Sequence, residues 1–92
     1  MLTAERLHEI LAAIPGVEQV FVDEHEDDRR LVARVIAYRF ERLDEAQRQA
    51  EIYGVLLDEL KPHELRRVEF VFTDTPREYA DLVATRDGAA SP

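Results

Sequence analysis

The chain has 92 residues and a formal net charge of −8 at pH 7, from 20 acidic and 12 basic side chains. This length predicts a single domain with a small core. The negative charge disfavours nucleic acids and anionic membranes as partners and suits a basic protein. The lack of cysteine excludes disulfides and thiol chemistry, and no apolar run approaches the ~20 residues that span a bilayer. With no signal-peptide pattern, we expect a cytoplasmic protein without a cofactor.

The N-terminal half contains one predicted helix and a predicted hairpin of two strands. Thr3 is suited to cap the helix, and Pro15-Gly16 ends it, because proline cannot continue the helical ladder and glycine adopts a left-handed turn easily. The first strand covers residues 17–23. The second strand covers residues 31–40, which are apolar at nearly every position. The charged segment 24–30 between them is the predicted hairpin loop.

The strongest helical pattern in the chain covers residues 43–60. At about 100° per residue, an apolar stripe runs along one side, and polar residues, Arg48 among them, lie opposite. Ile52 and Val55 fall outside this stripe. They are either ordinary apolar residues on a wet helix surface or a weaker contact with another chain. The stripe consists of Leu43, Ala46, Ala50, Tyr53, Leu57 and Leu60.

A third strand and a last helix complete the predicted domain. The strand covers residues 68–73. The segment Thr75-Pro76-Arg77-Glu78 then has the form of a capping box, with a hydroxyl at the N-cap and a carboxylate three residues later. We expect a short helix over residues 76–84. Residues 85–92 are small and polar, and we predict a disordered tail there, after a domain of residues 1–84.

The resulting order, α-β-β-α-β-α, predicts an α+β fold of two layers, a ferredoxin-like variant. The first two strands should pair antiparallel across their hairpin. The second and third strands are joined by the long helix and should pair in parallel. The sheet is therefore three-stranded and mixed, and the first two helices cover one of its faces.

The other face of the sheet also carries large apolar side chains, which a solvated sheet face normally lacks. Alternation assigns Val71 to this face and Phe70 and Phe72 to the opposite one. Three covers would explain an apolar face: a second copy of the chain, the chain's own last helix through Tyr79 and Leu82, or an apolar ligand or partner. Self-association, most simply as a dimer, makes it a contact surface. Its predicted residues are Phe21, Ile36, Tyr38, Phe40 and Val71.

Candidates for chemistry are few in this sequence. Residues 23–28 concentrate carboxylates around one imidazole, and Asp23 and His25 would share one side of a strand. Two ligands hold a divalent metal loosely unless a symmetry mate supplies more, and the alternative is a solvated hairpin tip. The sequence lacks a glycine-rich phosphate loop and an evident nucleophile, so we do not expect an enzyme.

Four segments together resemble the cytoplasmic C-terminal domain of cation diffusion facilitator transporters. These segments are IPGVEQVFV (14–22), LVARVIAYRF (31–40), LDEAQRQAE (43–51) and VEFVF (68–72). The resemblance implies a two-layer α/β module that dimerises.

Modules of that family often bind metal through histidines in the outer strands and early in the long helix. The corresponding positions in this chain hold Phe21, Gln47 and Phe72, none of which is a suitable ligand. The resemblance therefore implies the fold and the dimer without the metal.

These observations favour a small non-enzymatic interaction or regulatory module that self-associates through its apolar sheet face. Two alternatives remain open. One is a ligand- or metal-sensing module, which would need a bound ligand or an Asp23/His25 patch completed by a symmetry mate. The other is a small acidic protein of the inhibitor or immunity type, which would bind a basic partner.

Overall fold

A computed structural model describes the backbone of residues 1–90 and the side chains of residues 1–85. It confirms the predicted order of elements and adds two short ones, a 3₁₀ helix before the long helix and a short α-helix before the third strand. The elements are α1 (Ala4–Ala12), β1 (Val17–Glu24), β2 (Leu31–Ala37), a 3₁₀ helix (Tyr38–Arg42), α2 (Glu45–Glu59), α3 (Pro62–Leu65), β3 (Val68–Asp74) and α4 (Pro76–Ala90).

The last helix is longer than the sequence pattern predicts. It was expected to end at residue 84, yet its backbone continues to Ala90. The remaining part of the predicted tail, residues 91–92, lies outside the described residues. No helix in the described part of the chain combines the length and the apolar character needed to cross a membrane.

Side-chain caps determine where the first two long helices begin. Thr3 caps α1, since its Oγ1 accepts a hydrogen bond from the Arg6 N–H at 3.1 Å. Asp44 caps α2 through a capping box that the sequence analysis did not identify. The Gln47 N–H donates to Asp44 Oδ1 at 2.8 Å, and the Asp44 N–H donates to Gln47 Oε1 at 2.9 Å.

The sheet has β2 at its centre, antiparallel to β1 and parallel to β3. This is the predicted three-stranded mixed sheet. Helices α1 and α2 both pack on one face, which confirms the predicted two-layer arrangement. The core lies between these helices and the sheet. On the sheet side it consists of Val20, Leu31, Ala33, Val35, Ala37, Val68 and Val71.

The second strand is shorter than predicted, which changes where its last aromatic residues lie. It ends at Ala37, and residues 38–42 form the 3₁₀ helix. In this turn a residue and its second neighbour no longer share one side, as they would in a strand. Phe40 therefore enters the core and is fully buried, whereas Tyr38 remains 64% exposed. The prediction that Phe40 lies on an exposed sheet face is wrong.

The buried side of α2 also differs from the predicted apolar stripe. Ile52 and Leu56 are completely buried, while Leu57 of the stripe is 64% exposed. The buried row begins with Arg48 and continues at spacings of four residues, which keeps one helix face toward the sheet. Ile52 is thus a core residue that no other chain can reach. Val55 is half-buried against the same core, so the predicted helix contact is corrected for Ile52 and stays a prediction for Val55.

Gly16, in the turn between α1 and β1, predicts a local stability effect. Gly16 has a φ of +84°, and a Cβ there would lie 2.9 Å from Arg39 Cδ, whose side chain is ion-paired with Glu51. Gly16→Ala should destabilise the protein by about 1–2 kcal/mol, because an L-residue is strained in the left-handed region. Urea unfolding followed by circular dichroism measures this change.

Gly54 provides the matched control for that substitution. It lies in α2, where an added Cβ would meet no other part of the protein within 4 Å, and its φ is not positive. Gly54→Ala should therefore stabilise the protein by about 0.5–1 kcal/mol, since alanine restricts the unfolded chain. Equal effects of the two substitutions would contradict the assigned turn.

Candidate functional site at the outer face of the sheet

Large apolar side chains remain exposed on the sheet face opposite α1 and α2. Alternation along β1 and β3 directs Phe21, Phe70 and Phe72 to this side, where they are 43%, 38% and 43% exposed. Helix α4 packs against the same face and adds further apolar residues. We define the outer-face patch as Phe21, Phe70, Phe72, Tyr79, Leu82 and Val83.

The aromatic rings of this patch form two contacting pairs. The rings of Phe21 and Tyr79 stack with centroids 5.6 Å apart, which joins β1 to α4. The rings of Phe70 and Phe72 meet edge to face at 4.8 Å. The Arg34 guanidinium lies 4.7 Å from the centre of the Phe72 ring and is ion-paired with Asp74. The charged group at the centre of the patch is therefore already neutralised within the chain.

A groove of about 570 Å³ lies between α4 and the strands. Apolar side chains of the patch form much of its wall, and Arg34 and Asp23 are the charged residues that line it within residues 1–85. Helix α4 thus covers the outer face only in part. The apolar residues that line the groove include Val32, Phe72, Tyr79, Leu82 and Val83. Exposed apolar surface of this extent is commonly a site of binding in proteins.

The position of α4 depends on Arg48, a buried residue of α2. Its Nε donates to the carbonyl oxygens of Phe40 and Leu43, both at 3.1 Å. Its Nη1 donates to the carbonyl oxygen of Thr73 at 3.3 Å and to Glu78 Oε1 at 2.8 Å. One guanidinium therefore ties the 3₁₀ helix, the end of β3 and the first turn of α4 to α2. The helical pattern of residues 43–60 predicts Arg48 on the polar, solvated side of this helix, and this prediction is wrong.

Glu78 is the partner that connects this arginine to α4. The predicted capping box is confirmed, because Thr75 Oγ1 accepts from the Glu78 N–H at 3.0 Å and the Thr75 N–H donates to Glu78 Oε1 at 2.7 Å. The hydrogen bond from Arg48, followed by that from the Thr75 backbone, lowers the pKa of Glu78 below its usual value of 4.5. The start of α4 is thus held in place, with Tyr79 directly after Glu78.

The structure separates the five residues predicted for the contact surface. Phe21 and Tyr38 are exposed, whereas Ile36, Phe40 and Val71 are buried. Phe40 and Val71 belong to the core beneath α1 and α2, so both are corrected. Ile36 lies outside that core cluster and alternates with Val35 toward the outer side. Tyr38, on the 3₁₀ helix, stays a predicted contact.

Phe70 and Phe72 are the residues that sequence reasoning assigned to the wrong face. The register of β2 against β3 shifts by one residue between Leu31 and Val32, so the alternation that starts at Val68 does not continue along the strand. Val68 and Val71 both face inward as a result. Because this strand is apolar on both sides, no residue pattern marks the shift.

The candidate metal ligands do not come together with a third ligand. His25 Nε2 lies 3.0 Å from Glu69 Oε2 on β3, and this pair explains the position of the imidazole. Asp23 is exposed beside the groove under α4. Among residues 1–85 no group of three or more His, Asp or Glu side chains is placed to hold a metal ion.

Comparison with known proteins finds a similarity in structure and none in sequence. No family model matches the sequence, and no curated protein matches it at a significant level. Among solved structures, BolA1 from Arabidopsis thaliana superimposes with a TM-score of 0.62 and 20% identity, covering 85% of this chain and 98% of that one. At this identity the likeness establishes a shared fold.

This comparison corrects the resemblance proposed from the sequence. The structural neighbour is a BolA protein and not the C-terminal domain of a cation diffusion facilitator. The segments that suggested the transporter domain are an apolar strand pair and an amphipathic helix. Such segments occur in many small α+β domains, which is why they misled the assignment.

The contact between Arg48 and Glu78 predicts a stability effect that depends on pH. Glu78→Gln keeps a side chain suited to the capping box but removes the charge that faces Arg48. We expect a loss of about 1–2 kcal/mol at pH 7, below the ~1.5–3 kcal/mol usual for a hydrogen bond to a charged group, because the Glu78 side chain is 48% exposed to solvent. Urea unfolding at several pH values measures it.

The sign of the pH dependence follows from the lowered pKa of Glu78. A carboxyl group with a lowered pKa in the folded state stabilises the protein above its unfolded pKa, and this contribution disappears as the pH falls through the folded value. The difference between the native protein and Glu78→Gln should therefore vanish in acid. Glu41→Gln, at an exposed position, serves as the control. An equal loss at pH 3 and pH 7 would refute the ion pair.

Proposed function

We propose that this protein is a small non-enzymatic interaction or regulatory module that self-associates through the outer-face patch. The observation that carries the proposal is a continuous set of exposed aromatic and aliphatic side chains on one sheet face. Monomeric proteins seldom expose such patches unless they serve in binding. A BolA-like fold also suggests a module of this non-enzymatic kind.

The chain's own last helix leaves much of this face uncovered. Tyr79 stacks on Phe21, yet Phe21 itself keeps 43% of its surface exposed. Phe70 and Phe72, on the strand at the other edge of the sheet, are exposed to a similar extent. Since solvated sheet faces normally carry polar residues at such positions, a further partner is favoured over α4 alone.

A second copy of the chain suits this surface even though each copy carries a net charge of −8. The ion pair between Arg34 and Asp74 leaves the middle of the patch neutral, so two copies can approach without like charges in contact. Aromatic residues are enriched in protein interfaces, and two-fold dimers are the commonest assemblies. Repulsion from the remaining negative charge is screened by salt.

Catalysis is disfavoured by the chemistry of the groove. Among residues 1–85 its charged side chains are Asp23 and Arg34, and Arg34 is already paired with Asp74. The lowered pKa values of Glu64 and Glu78 follow from hydrogen bonds that cap helices and, for Glu78, from the pair with Arg48. An enzyme would need convergent polar groups around a substrate position, which the described residues do not supply.

A basic protein is the second candidate partner, and the net charge of −8 is the observation that favours it. In that case the outer-face patch would be filled by another protein's apolar side chains, with cations around them. A metal-sensing role through Asp23 and His25, and a location in the cytoplasm, remain predictions from the sequence.

Solution mass tests the self-association directly. Light scattering on a sizing column should give twice the chain mass of 10.6 kDa. The double substitution Phe70→Lys/Phe72→Lys should convert this dimer to a monomer, because it places four unpaired charges in the paired patches. Leu57→Lys is the matched control, since it charges an exposed apolar residue on α2, away from the sheet face.

The outcomes separate the candidate functions. A native protein that is monomeric at every concentration, or a double variant that remains dimeric, would overturn the proposed interface. A dimer that dissociates when a chelator is added would instead support the metal-sensing alternative. Retention on a basic surface that disappears with added salt would support the basic partner.

A further inference from the structure

The two edges of the sheet differ in how their backbone groups are satisfied. At the outer edge of β3, the carbonyl oxygen of Val71 accepts a hydrogen bond from Gln49 Nε2 at 2.8 Å. The carbonyl oxygen of Thr73 accepts one from Arg48 Nη1 at 3.3 Å. Two side chains of α2 therefore occupy this edge. An added strand could not pair with β3 unless it displaced both of them.

The opposite edge, formed by β1, is open. The His25 N–H donates to the Arg30 carbonyl oxygen within the hairpin, while the Leu31 N–H donates toward β3, to the Arg67 carbonyl oxygen. These two bonds show which opposite residues of β1 and β2 form hydrogen-bonded pairs and which form non-hydrogen-bonded pairs. Because its bonded pairs alternate, the backbone groups of Val20 and Val22 point away from β2. In residues 1–85 no other element bonds to them.

Carboxylates surround this open edge. A groove of about 410 Å³ beside Val22 is lined by Glu5, Glu9 and His8 of α1. A second groove of about 330 Å³ runs past Val20 and includes Glu18. Within the described part of the chain, neither groove is lined by arginine or lysine. The charge along β1 is therefore complementary to a cationic segment.

We propose that the β1 edge binds an extended basic segment of a partner protein, which adds to the sheet as a fourth strand. Its backbone would pair with the outward groups of Val20 and Val22, the mode of strand addition to an exposed edge. Its lysine or arginine side chains would lie beside Glu5, Glu9, Glu18 and Asp23. This inference does not depend on self-association, because it uses a different surface.

A second copy of β1 fits this edge less well than a basic strand. Antiparallel pairing of two copies through the outward groups of Val20 and Val22 is centred on Phe21 and places Glu18 of each copy opposite Glu24 of the other. Like charges directly opposite one another destabilise a strand pair. The same carboxylates would attract a basic strand, so the charge pattern favours a basic partner over a second copy of the chain.

An alternating Arg-Val peptide of about seven residues, the length of an ordinary strand, is the probe. Added to the full chain labelled with nitrogen-15, it should shift the amide signals of Val20 and Val22 and slow their hydrogen exchange. Fluorescence anisotropy gives its affinity. A peptide of the same sequence, N-methylated at alternate residues, keeps the charge but cannot form the ladder and should bind at least tenfold more weakly.

Charge-reversal variants test the position of the site on the protein. Glu18→Lys/Asp23→Lys should weaken binding of the Arg-Val peptide about tenfold, or roughly 1.4 kcal/mol. Glu41→Lys/Asp58→Lys changes the net charge equally at exposed positions outside both grooves of the β1 edge and should have a much smaller effect. Val22→Pro, which removes an outward N–H, should also weaken binding. Circular dichroism checks that each variant is folded.

Several results would overturn the proposal. These are an absence of peptide binding, equal binding of the N-methylated peptide, or equal losses in the two charge-reversal variants. Any of them would mean that the carboxylates only protect the edge against aggregation or attract cations without strand pairing. Phe70→Lys/Phe72→Lys should still bind the peptide, and Glu18→Lys, which changes no residue of the outer-face groove, should retain the native solution mass. The two proposals can thus fail separately.

Discussion

The buried guanidinium of Arg48 is the group on which the arrangement of the other elements depends. A charge in a protein interior is costly unless hydrogen bonds and an opposite charge compensate for its lost hydration. Arg48 receives both, from three backbone carbonyl oxygens and from the Glu78 carboxylate. The carbonyls belong to the 3₁₀ helix, the segment before α2 and the end of β3. Because these partners come from separate parts of the chain, the cost of burial is offset only when the parts take their native positions together.

This arrangement also decides which surfaces remain open for binding. By holding Glu78, Arg48 directs α4 across the outer face, where Tyr79 stacks on Phe21 and leaves Phe70 and Phe72 exposed. With its neighbour Gln49, the same arginine occupies the edge of β3. The outer-face patch and the β1 edge thus remain open among the described residues, one apolar and the other acidic. Both suit a module that acts by binding.

The candidate site was only partly predictable from the sequence. That the sheet has two apolar faces followed from simple alternation, and Phe21 was assigned correctly to the outer one. The remaining aromatic residues were not, because Phe40 follows a change from strand to 3₁₀ helix and Phe70 and Phe72 follow a register shift. A break in periodicity within an apolar segment leaves no trace in residue type. The transporter-like resemblance was wrong for a related reason, since it relied on segments that many small α+β domains share.

By itself, the sequence determined the order of the elements and the local signals that start and stop them. Thr3, Gly16 and the Thr75 capping box act through contacts within a few residues, so their effect is readable from the chain alone. Only the tertiary structure decided which face of α2 is buried, because a charged residue enters a core only if distant groups supply its hydrogen bonds. It likewise decided that β3 is closed and β1 open, since those hydrogen bonds join residues more than twenty positions apart. Local chemistry sets the elements, and long-range polar contacts set the surfaces they present.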